Sequence, residues 1–369
     1  MKNNLKKYIS LYLLSIFIFL IINEVAVYAD EINVDARCAI AMDAKSNIVL
    51  FEKNAETLVP IASTTKIITS LVAIKYGNLD KKVEISSKSA NIHGSTVGYK
   101  KDEMVSIREL LYGLMLRSGN DAAIAIAEGI SGSVEEFVKL MNEYSSEIGL
   151  CNSHFESPHG LDSDNHYSTA YDLALATCKA RENTVFNAIV QAKEVDGKQY
   201  GFTRSYQNIN KILWQLPNAN GVKTGYTGNA GKCLVTSVDM NGHDVVIVVL
   251  NSTPRWKETK KIYDYIEKNY EYKKLFSQGD EACQATVDNS FTKARLVFSE
   301  DIIVPISKAG KYDIKIIKPI SKIKAPIRKG SSMGSICVYK DDKIIYNQKL
   351  TVENEVNKEL KIKKWLFFK

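Results

Sequence analysis

The chain has 369 residues, of which 45% are hydrophobic and 25% charged, and its formal net charge is +7 at pH 7. This length exceeds what one compact domain usually needs and fits two domains, and the composition is typical of a globular protein. The charge excess is small and no basic run alternates with aromatic residues, so we exclude a nucleic-acid-binding protein and expect at most a weak attraction to an anionic surface.

The N-terminus has the pattern of a secretory signal peptide. Lysines precede a nearly continuous apolar run over residues 8–22, and Ala29 closes a Val-Tyr-Ala cleavage pattern. We therefore predict a signal peptide over residues 1–29 and an exported mature chain that starts near residue 30. The alternative is an uncleaved membrane anchor, for which the apolar run is somewhat short.

The next segments predict a β-hairpin and then a series of helices. Residues 37–53 contain two apolar runs around a polar turn, which is the pattern of a hairpin. A proline and a glycine delimit an apolar-periodic helix over residues 63–76. Four further helices are predicted from apolar residues at helical spacing, over residues 107–116, 121–130, 134–148 and 171–181. The last of these has Ser168 or Thr169 as its expected N-cap.

The pattern then returns to strands. Two apolar runs, over residues 233–238 and 245–250, predict strands joined by a tight turn at Asn241 and Gly242. Aromatic and apolar residues recur at helical spacing over residues 255–275, so we expect a closing helix there. The predicted order of elements is a strand pair, helices, a second strand pair and a final helix. This order indicates an antiparallel sheet flanked by helices, which is an α+β architecture.

The composition changes again after about residue 278. Short alternating or β-branched segments, separated by turns rich in Gly, Lys and Asp, predict a small all-β domain of sandwich type. We divide the chain into a signal peptide over 1–29, an α+β domain over 30–278, a β domain over 279–358 and a tail over 359–369. The tail contains Trp-Leu-Phe-Phe flanked by lysines. It is either a membrane-interface anchor or a frayed C-terminus.

Cysteines and histidines give no metal pattern. The six cysteines are scattered and form no Cys-x-x-Cys pair, so we expect buried free thiols rather than zinc ligands or a disulfide framework. His154, His159 and His166 are close in sequence, but they lack carboxylates and helical i,i+4 spacing, which favours structural or loop roles. We expect no metal and no cofactor.

The first chemical motif lies at the start of the helix predicted over 63–76. Residues 63–66 read Ser-Thr-Thr-Lys, and a three-residue separation on a helix places Ser63 and Lys66 on the same side. A serine hydroxyl becomes a good nucleophile when a base takes its proton. A lysine can be that base where burial and a second cation lower its pKa, and a helix N-terminus favours an oxyanion.

This motif has two competing interpretations. Ser63 alone is as consistent with a simple helix N-cap as with a nucleophile. The S-x-x-K pattern also recurs at residues 321–324, but in a strand that spacing places the two side chains on opposite faces. We therefore discard the second copy.

The second motif is Ser118-Gly119-Asn120, which separates two apolar helices and can present a hydroxyl and an amide to a cleft. Residues 163–165 read Ser-Asp-Asn, a closer literal match to S-D-N, but their surroundings are those of a solvated loop. We prefer the earlier motif. Simple helix capping is its alternative, because Asn is a good N-cap.

The third motif is Lys223-Thr224-Gly225, followed by Tyr226 and placed just before the strand predicted over 233–238. The glycine allows a ligand to approach the backbone, and the lysine supplies a charge that can bind a carboxylate or lower the pKa of a neighbouring amine. An ordinary lysine at a strand edge is the alternative.

S-x-x-K, S-D-N and K-T-G in this order are typical of penicillin-binding proteins and class A β-lactamases. Residues 35–275 resemble the serine D-alanyl-D-alanine carboxypeptidases, the low-molecular-mass penicillin-binding proteins of peptidase S11 type. The middle residue of the second motif is Gly119 rather than Asp, which resembles the carboxypeptidase subgroup and not the β-lactamases. The likeness extends over the segments 61–66, 118–122, 159–162, 221–227 and 323–330. Residues 159–162 read His-Gly-Leu-Asp. It implies a β-lactamase/transpeptidase-like catalytic domain followed by a small β domain, on the cell-wall side of a bacterial membrane.

The resemblance implies a catalytic role for three residues. Ser63 attacks the carbonyl between the two terminal D-alanines of a peptidoglycan stem peptide, and Lys66 is the base for acylation. Ser118 relays a proton toward the leaving amine. Hydrolysis of the acyl-enzyme then releases a shortened stem. β-Lactams are the covalent inhibitors that the same resemblance implies.

It also implies a binding role for the remaining motif residues. Asn120 holds the substrate amide, and Lys223 adjusts the charge of the site. Thr224 binds the terminal carboxylate beside Gly225, and the backbone N–H of Tyr226 completes an oxyanion hole with that of the nucleophile. Arg255 is the nearest candidate for a carboxylate-binding arginine, but it aligns poorly with the family arginine.

Two other functions remain open at this point. A class A β-lactamase uses the same acylation chemistry, but its Glu-x-x-Leu-Asn deacylation motif is absent, and residues 156–159 read Glu-Ser-Pro-His in that region. A catalytically silent wall-binding protein is the other alternative, and the intact motifs argue against it.

Overall fold

The computed structural model of the protein describes residues 32–319 and 323–359. The predicted signal peptide and all but the first residue of the predicted tail lie outside these residues. Ser321 of the second S-x-x-K copy also lies outside them. No helix in the described ranges is long and apolar enough to cross a membrane.

A five-stranded antiparallel sheet forms the centre of the larger part of the chain. Its spatial order is β2-β1-β9-β8-β7. The strands are β1 Cys38–Asp43, β2 Val49–Lys53, β7 Ala219–Thr227, β8 Gly231–Asp239 and β9 Asp244–Leu250. The N-terminal hairpin and the turn at Asn241 and Gly242 are thereby confirmed. The third motif is part of β7, the edge strand, whereas the sequence predicts only that it precedes β8.

Side chains alternate between the two faces of this sheet, as strand geometry requires. On β1, Ile40 and Met42 belong to a core shared with most of the helices, whereas Ala39 and Ala41 belong to a second core on the opposite face. β9 alternates in the same way. Both faces of the central strands are therefore covered, which explains why their sequences are almost continuously apolar.

Helices pack on the first face and carry two of the motifs. They are α1 Lys66–Tyr76, α2 Ser87–Ala90, α3 Ile107–Leu116, α4 Asn120–Ser131, α5 Val134–Glu147, α6 Ala170–Arg181 and α7 Thr184–Gln191. The five long helices predicted in this region are confirmed to within a few residues at their ends. Thr169 caps α6, because its side chain accepts a hydrogen bond from Asp172 N.

Short elements connect these helices. They are the strand pair β3 Lys82–Glu84 and β4 Met104–Ser106, the strand pair β5 Glu194–Val195 and β6 Tyr206–Gln207, and the helices α8 Gly197–Tyr200 and α9 Ile212–Gln215.

The closing helix is shorter than its periodicity predicts. α10 covers Arg255–Asn269 on the second face of the sheet, and Tyr270–Phe276 is strand β10. The prediction of a helix to residue 275 is therefore wrong over its last residues. β10 pairs with β14, Ile302–Ser307, so a partner distant in sequence determines its conformation.

The C-terminal part is all β, as predicted. Its second five-stranded sheet has the order β11-β13-β18-β17-β15. The remaining strands are β11 Glu281–Ala285, β12 Val287–Asp288, β13 Ala294–Val297, β15 Tyr312–Ile317, β16 Ile323–Lys324, β17 Ser332–Lys340 and β18 Lys343–Val352. Residues of this sheet and of α10 share the second core, so apolar packing joins the two parts of the chain.

Candidate active site

Ser63 lies in a strained turn rather than at the start of a regular α-helix. Residues 62–65 form a short 3-10 helix that leads directly into α1. Ala62, the residue before the serine, has a φ of +50°, which an L-residue with a side chain rarely adopts. Strain of this kind is about 1–3 kcal/mol per residue and is commonly found at functional sites. The turn leaves Ser63 half-buried between buried neighbours.

Lys66 points back toward Ser63, as the three-residue spacing predicts. Its Nζ lies 2.9 Å from Ser63 Oγ, 2.8 Å from Asn120 Oδ1 and 2.7 Å from the carbonyl oxygen of His159. The side chain is fully buried. A neutral amine has two N–H donors and one lone pair. Nζ is placed as a donor to all three oxygens. When the amine is neutral, the amide and the carbonyl can take its two N–H bonds, which leaves the lone pair to accept from the serine hydroxyl.

The surroundings favour this neutral form. Burial lowers the pKa of Lys66 well below its ordinary value, and the positive charge of Lys223 lowers it further. The carboxylate of Asp121 opposes both effects. Burial and a second cation are the two causes that can lower a lysine pKa enough for the amine to act as a base.

The Ser-Gly-Asn motif forms a rigid wall at the start of α4. Ser118 is buried with a φ of +60°, which turns the chain from α3 into α4. Asn120 is also buried. Its Oδ1 accepts from Lys66, and its Nδ2 donates to the His93 carbonyl over 2.8 Å. One amide thus connects Lys66 to the loop over residues 93–99.

Gly119 has no room for a side chain. A Cβ at this position would lie 2.7 Å from Asp121 Oδ1 and 2.7 Å from Val97 Cγ2. The Asp121 carboxylate accepts the backbone N–H groups of Val97 and Gly98, and this contact fixes the loop against α4. Steric overlap and the nearby negative charge therefore both explain why the middle residue of the motif is glycine rather than aspartate.

The alternative Ser-Asp-Asn segment lies elsewhere. Residues 163–165 are exposed, and Asn165 donates its N–H and its side-chain amide to the Glu156 carboxylate. Of the two candidate motifs, the one at 118–120 is in hydrogen-bond contact with Lys66. Glu156 is exposed and bonded to this loop, so it is not placed as a base in the cleft.

β7 forms the opposite wall and lies against Ser63. A Cβ on Gly225 would lie 3.2 Å from Ser63 N and 3.1 Å from the Ile61 carbonyl, so the glycine permits close approach of the two backbones. Thr224 is largely buried, whereas the Tyr226 side chain is 67% exposed at the rim. The strand thereby places its backbone next to that of Ser63.

Lys223 is a second buried lysine in this cleft. Burial lowers its pKa to about 7, and the charge of Arg255 contributes to this shift. Its Nζ donates to the carbonyl of Thr224 over 2.9 Å. Arg255 donates Nη1 to the carbonyls of Gly225 and Cys233, so this arginine braces the strand.

The loop over residues 155–167 also contributes to the site, and its sequence indicated only the resemblance of the His-Gly-Leu-Asp segment to the family. The His159 carbonyl is a partner of Lys66. Asp162 accepts hydrogen bonds from Thr227 Oγ1 at 2.6 Å and Asn229 N at 3.2 Å, just beyond the third motif. Gly160 fits closely against the Ala62 carbonyl, where any Cβ would clash. These contacts arise from the tertiary structure, and no spacing along the chain predicts them.

Within the described ranges, no group of three or more His, Cys, Asp or Glu side chains is arranged to hold a metal ion. The polar groups of the cleft are two serine hydroxyls, two buried amines and a side-chain amide. An antiparallel sheet flanked by helices with this cleft at its edge strand defines a serine hydrolase of the penicillin-binding class.

Comparisons with known proteins identify the family. A family model described as D-alanyl-D-alanine carboxypeptidase, peptidase S11, matches residues 24–254. A second, described as penicillin-binding protein 5, C-terminal domain, matches residues 270–358. The chain belongs to the peptidase S11 family of D-alanyl-D-alanine carboxypeptidases, and it has the two-domain fold of penicillin-binding protein 5.

Individual relatives agree with this assignment. The D-alanyl-D-alanine carboxypeptidase DacF of Bacillus subtilis is 33% identical over 347 residues, which are 89% of this chain and 87% of the relative. DacA of Escherichia coli is 32% identical over 361 residues, 90% and 88% of the two chains. The structure of penicillin binding protein 5 from Haemophilus influenzae superposes with a TM-score of 0.78 at 29% identity, covering 89% of this chain and all of that one.

Proposed function

We propose that the enzyme removes the terminal D-alanine from peptidoglycan stem pentapeptides through an acyl-enzyme on Ser63, and that β-lactams acylate the same residue. The observation that carries the proposal is the 2.9 Å contact between Ser63 Oγ and the buried Lys66 Nζ. A buried amine with neutral acceptors and a lowered pKa is suited to take the serine proton.

In the proposed acylation, Ser63 Oγ bonds to the carbonyl carbon of the penultimate D-alanine while Lys66 Nζ takes the hydroxyl proton. The backbone N–H groups of Ser63 and Tyr226 bind the oxyanion, which the close approach of β7 to the serine supports. The C–N bond then breaks, and the departing amine receives a proton through Ser118. Free D-alanine leaves.

In this proposal, the residues that line the walls of the cleft bind the substrate. Asn120 binds the substrate amide while it holds Lys66. Lys223 and Thr224 attract the terminal carboxylate, with Gly225 keeping the strand close to the nucleophile. In the second half-reaction, water attacks the acyl carbonyl, the bond to Oγ breaks, and the shortened stem is released with the serine proton restored.

Intact mass spectrometry after addition of benzylpenicillin tests the nucleophile. We expect one adduct that persists for many minutes, and none in Ser63→Ala. Ser70→Ala is the matched control, because the Ser70 hydroxyl is buried on the same helix α1 and has no hydrogen-bond partner among the described residues. It should form the adduct like the unmodified protein. An adduct that disappears as the drug is consumed would identify a β-lactamase, and no adduct at all would identify a silent wall-binding protein.

Release of D-alanine from a tripeptide ending in Lys-D-Ala-D-Ala tests the reaction itself. The same two variants apply, and we expect Ser63→Ala to lose release and Ser70→Ala to retain it. Stable penicillin acylation without D-alanine release would contradict the carboxypeptidase reaction while leaving the nucleophile assignment intact.

We also propose that the enzyme is exported after cleavage behind Ala29. The basic, apolar and small-residue regions of residues 1–29 support this. N-terminal sequencing of protein recovered from the cell-wall side should begin at Asp30. A chain that still starts at Met1 would contradict cleavage.

Finally, we propose that the basic aromatic tail contacts the membrane interface. Aromatic residues flanked by lysines suit anionic lipid surfaces. In a pelleting assay with anionic vesicles, the full chain should pellet more than a chain ending before Trp365. Equal pelleting would contradict the anchor.

A further inference from the structure

We propose that His166 is a positioning residue for Ser63, which acts through Thr65 on the Ala62 carbonyl. The inference rests on the proposed role of Ser63 as nucleophile. It assigns a function to a histidine whose expected role was that of a loop residue, more than 100 positions away from the serine in sequence.

The backbone at Ala62 must be held in an unfavourable conformation for Ser63 to be positioned. This residue has a φ of +50°, a conformation that a residue with a side chain disfavours. The direction of the Ser63 side chain follows from the peptide that Ala62 forms with it. Contacts to the Ala62 carbonyl therefore help to decide where Ser63 Oγ lies relative to Lys66.

A chain of three hydrogen bonds reaches that carbonyl. Glu156 N donates to His166 Nδ1 over 3.1 Å, so Nδ1 is the acceptor nitrogen and Nε2 carries the proton. His166 Nε2 lies 2.8 Å from Thr65 Oγ1, and Thr65 Oγ1 lies 2.8 Å from the Ala62 carbonyl. The hydroxyl thus accepts from the imidazole and donates to the carbonyl. The backbone donor fixes the direction of every bond in the chain.

The surroundings keep the imidazole in this neutral state. His166 is 4% exposed, Thr65 is fully buried, and the Phe155 ring packs edge-on against the imidazole with centroids 5.6 Å apart. Burial lowers the pKa of His166 to about 4. The ring is therefore uncharged at neutral pH and able to donate from one nitrogen while accepting at the other.

The loop that carries His166 has other attachments to the same helix. Thr69 Oγ1 donates to the Pro158 carbonyl over 2.7 Å, one turn beyond Thr65. Lys66 donates to the His159 carbonyl. Loss of the His166 bond therefore leaves the loop held to α1, and its effect should fall on the turn before Ser63 rather than on the fold as a whole.

Thr69 supplies a matched control for this distinction. Thr65→Val and Thr69→Val each replace a buried threonine on this stretch of chain by an isosteric residue and each remove a hydrogen bond to a carbonyl. Only the first of the two bonds goes to Ala62. A purely structural role predicts similar losses for both variants, whereas a positioning role predicts a loss of acylation for the first alone.

The experiment measures the second-order rate constant for acylation by benzylpenicillin together with the melting temperature. We expect Thr65→Val and His166→Leu to lower the rate constant by about tenfold or more, because small displacements of a nucleophile have large effects. The double variant should be no slower than the slower single variant, since both changes break one chain. Thr69→Val should stay within about twofold at a comparable fall in melting temperature. His166→Gln retains an N–H donor and should lose less than His166→Leu.

Crystal structures of the unmodified protein and Thr65→Val give a readout that needs no activity. We expect the distance from Ser63 Oγ to Lys66 Nζ to exceed hydrogen-bond range in the variant. An unchanged Ser63 together with acylation rates within twofold of the unmodified protein would overturn the inference. Failure of the unmodified protein to form an adduct would instead overturn the proposed function, and the crystallographic comparison would then still decide the positioning role.

Discussion

The Asp162 carboxylate and the Thr227 hydroxyl, 65 residues apart in sequence, form a 2.6 Å hydrogen bond beside the cleft. The same carboxylate accepts Asn229 N. Asp162 belongs to the loop whose His159 carbonyl holds Lys66, and Thr227 is the last residue of β7. The Asp162 side chain therefore links the loop that contacts Lys66 to the strand that carries the third motif.

We predict that Asp162→Ala lowers kcat/KM for D-alanine release by about 3–10-fold, because the end of β7 loses its attachment to the loop and the oxyanion donor of Tyr226 becomes less well placed. The hydrogen bonds are exposed, so the melting temperature should change little. Asp164→Ala is the control, since Asp164 is exposed on the same loop. Equal activity of the two variants would contradict the prediction.

Replacement of Lys66, the proposed base, should abolish most of the acylation. Lys66→Arg places a guanidinium there, which does not give up its proton at neutral pH and cannot accept one from Ser63. We expect the acylation rate by benzylpenicillin to fall by about 10²–10⁴-fold. Lys75→Arg on the same helix retains its ion pair with Glu147 at the surface and should acylate normally. A Lys66→Arg rate within threefold of the unmodified protein would exclude Lys66 as the base.

Lys223 should make stability depend on pH. Its folded-state pKa is lowered to about 7 from the ordinary 10.5, so the unfolded chain binds more protons between these two values. The free energy of unfolding should therefore rise with pH through this window. The destabilisation that results from burying the charged Lys223 is complete below about pH 7 and absent above the ordinary lysine pKa.

We predict that Lys223→Met raises the free energy of unfolding by about 1–3 kcal/mol at pH 6 and loses substrate affinity. The gain should shrink as the pH approaches 10. Urea titrations at both pH values measure it, with Lys232→Met, at an exposed position on β8, as the control. A gain that is the same at pH 6 and pH 10 would contradict the assignment of the slope to Lys223.

Gly119→Asp tests the middle position of the second motif. The new carboxylate would begin from a Cβ that is 2.7 Å from Asp121 Oδ1, so steric overlap and like charge act together. We predict destabilisation by about 2–4 kcal/mol and loss of acylation. Gly228→Asp places the same residue where a Cβ meets no atom within 4 Å, and it should change stability by less than about 0.5 kcal/mol.

A melting temperature for Gly119→Asp equal to that of Gly228→Asp would show that the loop over 93–99 can move away. Steric exclusion would then not explain why residue 119 is a glycine. Thermal unfolding of both variants decides between these outcomes.

The sequence by itself determined the features that depend on local geometry. The helical spacing of Ser63 and Lys66 predicted that they face each other, and the Asn241-Gly242 turn predicted the pairing of β8 with β9. The apolar run of β1 before a polar turn and the apolar periodicity of α3 likewise predicted their elements. Each of these signals comes from neighbours within a few residues, where chain geometry leaves few alternatives.

Tertiary structure decided the contacts between segments distant in sequence. Tyr270 continues a helical pattern, yet it begins β10 because β14 supplies the strand partner. Thr65 meets His166 across 101 residues, and Lys66 receives its low pKa from burial and from Lys223, 157 positions further along. Burial and proximity of this kind are properties of the packed chain, so no spacing within the sequence could have specified them.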